Sequence, residues 1–495
     1  MKKKLVLLGV SLLALGVLAG CNSGGGSGDG QEDGPLTIEF WHTFGQSLEA
    51  AVNEKAVKFA ELVKKNEGVD LVIEAANKYN YNTAKTILTP VLTAGTNPTI
   101  AISYPDTVAD LMGLEETQGQ YVVDMESYLN NAEYGIGKDA YLGDRLPSTD
   151  IVKTYLDEGR AFNREGLFVL PLFKSTEVML YNKDVVFEAL DDYEPTQGMS
   201  TSQKEDFVSK MSWTDLMAIG KLLYDNKTEY GLTNLDYPIF YDSDSNMLIT
   251  HLHQMGLNYS SLDENKNVIL GLDKDADSAN AALVRDMLDE YKLWHDQHIL
   301  TTKKTENEYA SNSFKTLKTI ISIGSSGGAA YSFPEAGSFD VGFARVPYRG
   351  ENSETPEYIS QGPSVVFLRN KKLSDDMNQK KLYYAWKFYK YLVSPSVNLE
   401  IAVNKSGGYL PVRESSFSSE SWLGYIKRDQ NSSHSADVVV NKIQRHFFNS
   451  LVFKGSGTYR DSLATLMAKT MKGEDIDDAL ADLINEVKLN MKKDV

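Results

Sequence analysis

Aromatic and small polar residues recur at the predicted ends of strands and in loops. Flat aromatic faces can stack on the apolar faces of a sugar ring, while hydroxyls and backbone amides bind its polar groups. In an open α/β sheet such a site forms beyond the carboxyl ends of the strands. Taken singly, each residue fits a turn or core role at least as well, so only their joint placement favours a site for a small polar solute. They are Trp41, Tyr81, Tyr104, Ser175, Tyr237, Phe240, Ser325, Ser326 and Tyr409.

Motifs for enzymatic chemistry are incomplete. The glycine-rich stretches Gly324–Gly328 and Gly455–Gly457 lack the lysine with which a nucleotide-binding loop holds phosphate. Adjacent carboxylates such as Glu115-Glu116 and Asp157-Glu158 point in different directions along the chain, whereas glycoside hydrolysis needs two that face each other about 5 to 9 Å apart. We expect no catalytic residue, and a glycosidase stays open as an alternative.

Residues that could bind metal do not complete a known pattern. His251 and His253, like His295 and His298, lack the spacing of a zinc-binding His-Glu-x-x-His motif. Three aspartates at 273, 275 and 277 copy the start of a calcium loop, but Ser278 and Val284 replace its glycine and its bidentate glutamate. We therefore assign no cofactor and no metal site.

The N-terminal residues have the pattern of an export signal. Lys2, Lys3 and Lys4 precede an apolar run that is shorter than the roughly 20 residues of a membrane span, and the run ends in Leu-Ala-Gly-Cys. That tetrapeptide resembles the bacterial lipobox, so residues 1–20 are predicted to be cleaved and Cys21 to be lipidated. Residues 21–35 then form a flexible polar tether. We expect a lipoprotein on the extracytoplasmic face of the cell membrane.

Composition constrains the mature chain further. Cys21 is the only cysteine, so no disulfide can form within the chain. The formal charge of −18 becomes −21 once the three signal lysines are removed, which argues against nucleic acid as a partner. The roughly 460 residues beyond the tether are enough for two domains or two lobes.

The elements that must position the site alternate between strand and helix. Residues 36–40, 69–75 and 99–103 have strand-like patterns, and helical periodicity covers 48–63 and 81–92 between them. This order favours a parallel sheet with helices on both faces. Farther on, an apolar strand-like stretch over 165–181 is interrupted by Pro171 and leads into a helix. Ser212 to Asp215 has the form of a capping box before a helix at 213–225.

Short motifs in a constant order connect these elements to a known family. With them the chain resembles the extracellular solute-binding proteins of ABC importers, of the family-1 type that binds sugars, oligosaccharides and glycerol-3-phosphate. The motifs are weak singly and span nearly the whole mature chain: 38–42 Ile-Glu-Phe-Trp-His, 92–98 Leu-Thr-Ala-Gly-Thr-Asn-Pro, 180–184 Leu-Tyr-Asn-Lys-Asp, 325–328 Ser-Ser-Gly-Gly, 341–347 Val-Gly-Phe-Ala-Arg-Val-Pro and 408–412 Gly-Tyr-Leu-Pro-Val.

The resemblance implies an α/β, two-lobed periplasmic-binding-protein-like fold of type II, with mixed sheets flanked by helices and a hinged ligand cleft. Lobe one would comprise residues 36–171 plus 363–411, and lobe two residues 172–362 plus 412–495. Carried over by motif, Tyr81, Ser175, Ser325 or Ser326, Gly362 and Tyr409 would line the cleft. Tyr104 would replace a family glutamate, and Tyr237 and Phe240 would occupy the places of an aromatic pair.

One departure from the family bears on the ligand. Glycerol-3-phosphate receptors use an arginine on the phosphate, and the matching place here reads Ser456-Gly457. The missing bidentate arginine favours a saccharide or polyol derivative over glycerol-3-phosphate or a glycerophosphodiester, unless Arg413 or Arg460 substitutes. The implied partners are the permease subunits of an ABC importer and, through the lipid anchor, the membrane, with the receptor itself a monomer. A sensory receptor for the same solute is a further alternative.

Overall fold

Strands and helices alternate along the part of the chain that the structure describes. The computed structural model describes residues 34–78, 80–114, 120–332, 334–335, 338–350, 354–428 and 430–492. The predicted signal peptide, Cys21 and the Glu115-Glu116 pair lie outside the described residues. The strands are β1 Leu36–His42, β2 Leu71–Asn77, β3 Ile100–Ser103, β4 Leu170–Pro171, β5 Glu177–Asn182, β6 Ile239–Tyr241, β7 Ser260–Leu262, β8 Val268–Leu270, β9 Leu300–Thr302, β10 Ile321–Ser325, β11 Val341–Arg345, β12 Tyr358–Ile359, β13 Ser364–Phe367 and β14 Phe447–Phe448.

The helices cover the faces of the sheets and fill the longer connections. In chain order they are α1 Gln46–Glu67, α2 Tyr81–Ala94, α3 Pro105–Gly113, α4 Glu126–Leu129, α5 Lys153–Glu158, α6 Lys183–Asp192, α7 Thr201–Lys210, α8 Trp213–Asp225, α9 Asp244–Gln254, α10 Ser278–Asp296, α11 Lys303–Glu306, α12 Ala310–Lys315, α13 Asp375–Leu392, α14 Pro395–Lys405, α15 Glu414–Phe417, α16 Glu420–Tyr425, α17 Asn431–Asp437, α18 Ser456–Met471 and α19 Ile476–Lys492. A 3-10 helix at Ser326–Ser332 directly follows β10.

The first large sheet has the strand order β2-β1-β3-β13-β4. Strand β1 is parallel to β2 and β3, as the alternating pattern predicts, whereas β13 pairs antiparallel with β3 and β4. Pro171 is tolerated because β4 is an edge strand, where a missing backbone donor costs no ladder bond. The sheet is therefore mixed, because a strand from late in the chain is inserted beside β3.

The second large sheet has the order β11-β5-β10-β6-β9. Strands β6, β9 and β10 run parallel, while β5 is antiparallel to β10 and β11. Its strands come from residues 177–345, and those of the first sheet from 36–171 and 364–367. The predicted fold class, α/β with mixed sheets flanked by helices, is confirmed. The lobe boundaries given above stay a prediction.

Two crossing segments connect the sheets and pair with each other: residues 172–176, between β4 and β5, and residues 360–363, before β13. Ser175 lies opposite Gln361 in an antiparallel bridge, and Lys174 lies opposite Leu410 in a second one. Gly362 adopts φ +114°, which side chains rarely tolerate, and a Cβ there would lie 2.5 Å from the carbonyl oxygen of Phe173. Glycine is thus required at this crossing because the two backbones approach so closely.

Helix ends follow the signals read from the sequence. Ser212 Oγ accepts a hydrogen bond from the backbone N–H of Asp215 at 3.2 Å, and the Asp215 carboxylate accepts one from the backbone N–H of Ser212 at 2.9 Å. The predicted capping box is confirmed, and α8 spans the predicted 213–225. In α13 one apolar face is buried, with Trp386 fully inaccessible. Pro395 occupies the first position of α14, where a missing backbone N–H costs no helical hydrogen bond.

Candidate functional site

A cavity of about 770 Å³ lies where the carboxyl ends of strands from both sheets converge. Tyr104 follows β3, Asp242 follows β6, Lys303 follows β9, and Ser325 ends β10, and all four line the cavity. Parallel strands end at the same edge of a sheet, so residues distant in sequence meet here. The volume lies within the range of about 300 to 1,000 Å³ typical of sites for small ligands.

Three tyrosine rings project into this cavity. Side chains of Tyr104, Tyr309 and Tyr331 line it and are 40%, 55% and 71% exposed. Singly exposed aromatic side chains are common, but several around one concave space are typical of a ligand-binding groove. Their exposed surfaces are available to a ligand with apolar faces, while Tyr81 stacks on part of Tyr104 and Lys303 Nζ lies over the Tyr309 ring.

Glu177 is a buried carboxylate in the cavity wall. It is only 2% exposed and accepts hydrogen bonds from the Tyr241 hydroxyl and, at 3.2 Å, from Asn246 Nδ2. Burial raises the pKa of Glu177 to about 7, and the Tyr241, Asn246 and Gln361 hydrogen bonds offset only part of this effect. Near neutral pH this carboxyl group can accept or donate a hydrogen bond to a ligand hydroxyl.

Asp242 is the second carboxylate of the wall with a perturbed pKa. Burial raises the pKa of Asp242 to about 6, and the backbone N–H of Ala310, 2.7 Å from Oδ1, acts in the opposite direction. Lys303 lies on the same side of the cavity, with Nζ 3.6 Å from the centre of the Tyr309 ring. Charge, hydrogen-bonding oxygen and an aromatic face are therefore combined at the ends of β6 and β9.

Glu158 has a different role from Glu177, although it also lines the cavity. Its two oxygens accept hydrogen bonds from the buried Lys174 Nζ at 2.8 and 2.7 Å, and Oε2 accepts another from Ser364 Oγ at 2.8 Å. Lys174 belongs to a crossing segment and Ser364 to β13. The Glu158–Lys174 ion pair therefore connects α5 to the crossing segment at one wall of the cavity.

Only one of the two arginines considered from the sequence reaches the cavity. Arg460 lines it, with Nε 3.4 Å from Asp106 Oδ2 and Nη2 donating to Asn246 Oδ1. Arg413 is fully buried elsewhere, where it donates to the Val393 carbonyl oxygen at 2.7 Å and lies 3.4 Å from Asp144. Arg413 is thus unavailable to a ligand in the cavity.

The residues expected at the site fall into three groups. Tyr104, Ser325 and Gly362 line the cavity directly. Ser175 Oγ accepts a hydrogen bond from Ser325 Oγ at 3.3 Å, immediately behind the wall. Ser326 is fully buried and its Oγ accepts from the Thr176 N–H at 3.4 Å. Although Gly324 to Gly328 matches the Gly-x-Ser-x-Gly pattern of hydrolases, Ser326 is not presented as a nucleophile.

The second group is an aromatic layer that supports the wall. The Tyr81 ring stacks on Tyr104 with 4.1 Å between centroids, and Trp41 lies beside Tyr81 with Lys78 Nζ 4.1 Å above its ring. Tyr409 packs against Gly327, where a Cβ would come within 2.7 Å of the ring. Burial raises the pKa of both Tyr81 and Tyr409, so their hydroxyls stay protonated.

Tyr237 and Phe240 form the third group, and the structure does not bring them to the cavity. The Tyr237 hydroxyl bonds to His295 Nε2 at 3.0 Å, with the two rings stacked 5.1 Å apart. Phe240 is 3% exposed within β6 and is not among the residues that line the cavity. The expected aromatic pair is replaced by Tyr309 and Tyr331.

Several lining residues escaped sequence analysis. Glu177, Asp242, Asn246, Lys303, Tyr309 and Tyr331 were not singled out. Strands β6 and β9 have three residues each, too few to show alternation, so the positions after them could not be recognised as strand ends. Once β6 is known, Asp242 follows from the rule that ligand-binding residues lie just after parallel strands.

The described residues offer no arrangement for a metal ion. No group of three or more histidine, cysteine, aspartate or glutamate side chains in them is placed to hold one. The Asp277 side chain caps α10 by accepting from Asn280 N–H at 3.1 Å, and Asp273 pairs with Lys488 at 2.5 Å. Among the helices of the described residues, none is both long and apolar enough to cross a membrane.

Comparison with known proteins places the chain among binding proteins. A family model described as bacterial extracellular solute-binding protein matches residues 57–428. No curated protein sequence matches the chain. The match agrees with the resemblance that the sequence motifs indicate.

Solved structures share the fold at low sequence identity. The ABC substrate-binding protein Lmo0181 from Listeria monocytogenes, in complex with cycloalternan, has a TM-score of 0.66 at 15% identity, with 92% of this chain and 99% of that chain covered. A cyclic α-maltosyl-1,6-maltose binding protein from Arthrobacter globiformis has 0.64 at 16%, covering 93% and 100%. UgpB from Mycobacterium tuberculosis, in complex with glycerophosphocholine, has 0.64 at 16%, covering 93% and 98%.

Proposed function

Because the chain belongs to the bacterial extracellular solute-binding proteins, we propose that it captures a saccharide or polyol derivative in the cavity between its two sheets. The observation that carries the proposal is the combination of three open tyrosine rings with carboxyl, amide and hydroxyl groups around one space. Aromatic rings can stack on sugar faces, while the polar groups bind hydroxyls. The two similar proteins above whose names or complexes include cyclic saccharides support this class of ligand.

The proposed mechanism is closure without covalent chemistry. A solute that contacts both walls favours the arrangement in which they are close, so its binding shifts the population toward closure. Bending would occur in the segments that connect the two sheets, where Ser175 lies opposite Gln361 and Gly362 lies close to the Phe173 backbone. The closed receptor would then deliver the solute to the permease subunits of an ABC importer.

A thermal-shift screen tests the ligand class. The panel comprises neutral mono- to trisaccharides, polyols, glycerol-3-phosphate and glycerophosphocholine. A ligand that binds only the folded chain raises the midpoint of unfolding by mass action. We expect at least one neutral saccharide or polyol to do so, with micromolar affinity verified by calorimetry. Stabilisation by the phosphorylated compounds alone would contradict the saccharide proposal.

A glycerophosphodiester is the second candidate ligand. Arg460 lies in the cavity one turn beyond the Ser456-Gly457 position, so a guanidinium is present despite the departure from the family pattern. Arginine suits phosphate because its donors match two phosphate oxygens at once. Against this candidate, Arg460 already lies beside the carboxylate of Asp106.

Anchoring through Cys21 is the remaining part of the proposal. The cysteine is followed by a polar, glycine-rich stretch, which would keep the receptor near the membrane while letting it turn. A Cys21→Ser variant expressed in a bacterial host should appear in the soluble extracytoplasmic fraction, whereas the unchanged chain stays with membranes and incorporates labelled fatty acid. Equal fractionation of both chains would exclude the anchor.

A further inference from the structure

Arg460 connects helices that belong to different sheets. It lies in the first turns of α18, which packs against α9 and α10 on the second sheet. Its Nη2 donates to Asn246 Oδ1 of α9, and its Nε lies 3.4 Å from Oδ2 of Asp106. Asp106 belongs to α3, which follows β3 of the first sheet. The guanidinium is thus held from both walls of the cavity.

The groups around Arg460 already offset its charge. Asp106 and Arg460 side chains are 20% and 24% exposed, so their attraction is screened less than that of a surface pair. Asn246, which accepts from Arg460, donates through Nδ2 to Glu177 at 3.2 Å. An incoming phosphate or carboxylate at Arg460 would meet the negative charge of Asp106 and lie close to the Glu177 carboxyl group. Like charges brought together in a partly buried site oppose binding.

Besides Arg460, the cations that line the cavity are Lys303 and Lys315, and neither is an arginine. Arg413 is fully buried in its own network of ion pairs. Lys303 lies over the Tyr309 ring, and a single ammonium lacks the fork of donors that an arginine offers to phosphate. Discrimination at this end of the cavity therefore depends on Arg460 and on the carboxylate beside it.

We propose that Asp106 is a specificity-determining residue that occupies Arg460 and so excludes phosphorylated and carboxylated solutes from the cavity. The inference rests on the proposed function, because it takes the cavity as the ligand site, and it deepens that function by restricting the ligand to neutral compounds. Removing the charge of Asp106 leaves Arg460 in place, still bonded to Asn246, with its positive charge no longer offset by this carboxylate. The change converts a site that rejects anions into one that binds them.

The experiment compares two aspartates of the same helix. Asp106→Asn removes the carboxylate beside Arg460 and keeps the shape of the side chain. Asp110→Asn is the matched control: it removes the same charge one turn later, outside the cavity lining, and its amide oxygen can still accept from the Gly455 N–H, 3.0 Å from Asp110 Oδ1. Calorimetry and thermal shift are recorded with glycerol-3-phosphate, glycerophosphocholine and inorganic phosphate as probes.

We expect Asp106→Asn to bind glycerol-3-phosphate about tenfold or more tightly than the unchanged chain, because the ligand phosphate no longer meets a like charge beside Arg460. Asp110→Asn should match the unchanged chain, and adding Arg460→Gln to Asp106→Asn should abolish the gain. An equal gain in affinity for Asp110→Asn would mean that the gain comes from the lower overall negative charge and not from the group beside Arg460. Equally tight binding by the unchanged chain, or no gain in Asp106→Asn, would also overturn the proposal.

The outcome is independent of the saccharide screen. If no neutral solute stabilises the chain while Asp106→Asn gains phosphate binding that requires Arg460, the saccharide function fails and the role of Asp106 stands. If a saccharide binds and Asp106→Asn gains nothing, the function stands and the role of Asp106 fails.

Discussion

Two groups of buried charges in this molecule are partnered in different ways. Beneath α13, Lys390, Asp144 and Arg413 are all fully inaccessible, and each lies within 4 Å of a group of opposite charge. In the cavity, Glu177 and Asp242 accept hydrogen bonds, yet no lysine or arginine nitrogen of the described residues lies within 4 Å of either carboxylate. The first group is complete without a ligand, whereas the second keeps hydrogen-bonding capacity for one.

Under the proposed function, buried charge would stabilise the fold in one place and bind a ligand in the other. Burying a charge is costly unless an opposite charge and hydrogen bonds satisfy it. The network below α13 meets that requirement, with Arg413 also donating to the Val393 carbonyl oxygen. The cavity carboxyls meet the cost differently, by a raised pKa that favours their neutral forms.

The most damaging test removes one member of the complete group. Asp144→Ala leaves Arg413 and Lys390 with less compensation in a dry environment, so the free energy of unfolding should fall by about 3 to 5 kcal/mol. Urea unfolding followed by circular dichroism measures the change. Asp206→Ala breaks an exposed pair with Lys210 and should cost at most about 0.5 kcal/mol. Comparable losses in both variants would refute the special role of the buried network.

An intermediate effect is expected from the pH dependence of Glu177. Its pKa is raised from 4.5 to about 7 in the folded chain, so its contribution to stability is fully present below pH 4.5 and is lost as the pH rises through 7. Glu177→Gln stays neutral and avoids this loss. Between pH 4.5 and 8 the difference in unfolding free energy between the two chains should change in favour of the variant by about 3 kcal/mol.

Chemical denaturation of both chains at several pH values provides the measurement. Asp242 and the other acids titrate in both chains, so their contribution cancels in the difference. A difference that stays constant with pH would mean that Glu177 ionises in the folded state as freely as it does in the unfolded chain.

The smallest effect concerns binding alone. Tyr331 is 71% exposed, so Tyr331→Ala should leave the unfolding midpoint unchanged while weakening the affinity for the best saccharide of the screen by about tenfold. Tyr237→Ala is the control outside the cavity and should bind normally, since Tyr237 stacks on His295. Calorimetric titration measures both affinities. A loss of affinity in Tyr237→Ala alone would mean that the ligand contacts Tyr237 and not Tyr331.

Much of the fold was predictable because its signals are local. The capping box at Ser212 determines the start of α8, and the apolar stripe of α13 marks its buried face. What the sequence could not reveal is pairing between distant segments. Nothing in residues 364–367 themselves indicates that β13 lies between β3 and β4, and no motif announces that residues 174–176 cross between sheets.

The position of a residue expected at the site could be inferred where it directly follows a strand with a clear sequence pattern. Tyr104 comes directly after β3, and its place in the cavity could be inferred from that position. The expectation for Tyr237 and Phe240 depended on analogy with the family, and neither residue lines the cavity. Asp106 and Glu177 could not be ranked above other acidic residues, because their importance depends on which charges meet in three dimensions.

The position of β13 has a consequence for how the chain is made. The ribosome releases β1, β3 and β4 long before Ser364, yet the first sheet needs β13 to join β4 to the rest. Until then a nascent chain displays open strand edges, which invite pairing with other molecules. Contacts this distant in sequence also form slowly, because a long loop must close first. Fragments that stop before residue 367 should therefore aggregate on expression, and truncation is a poor route to an isolated first lobe.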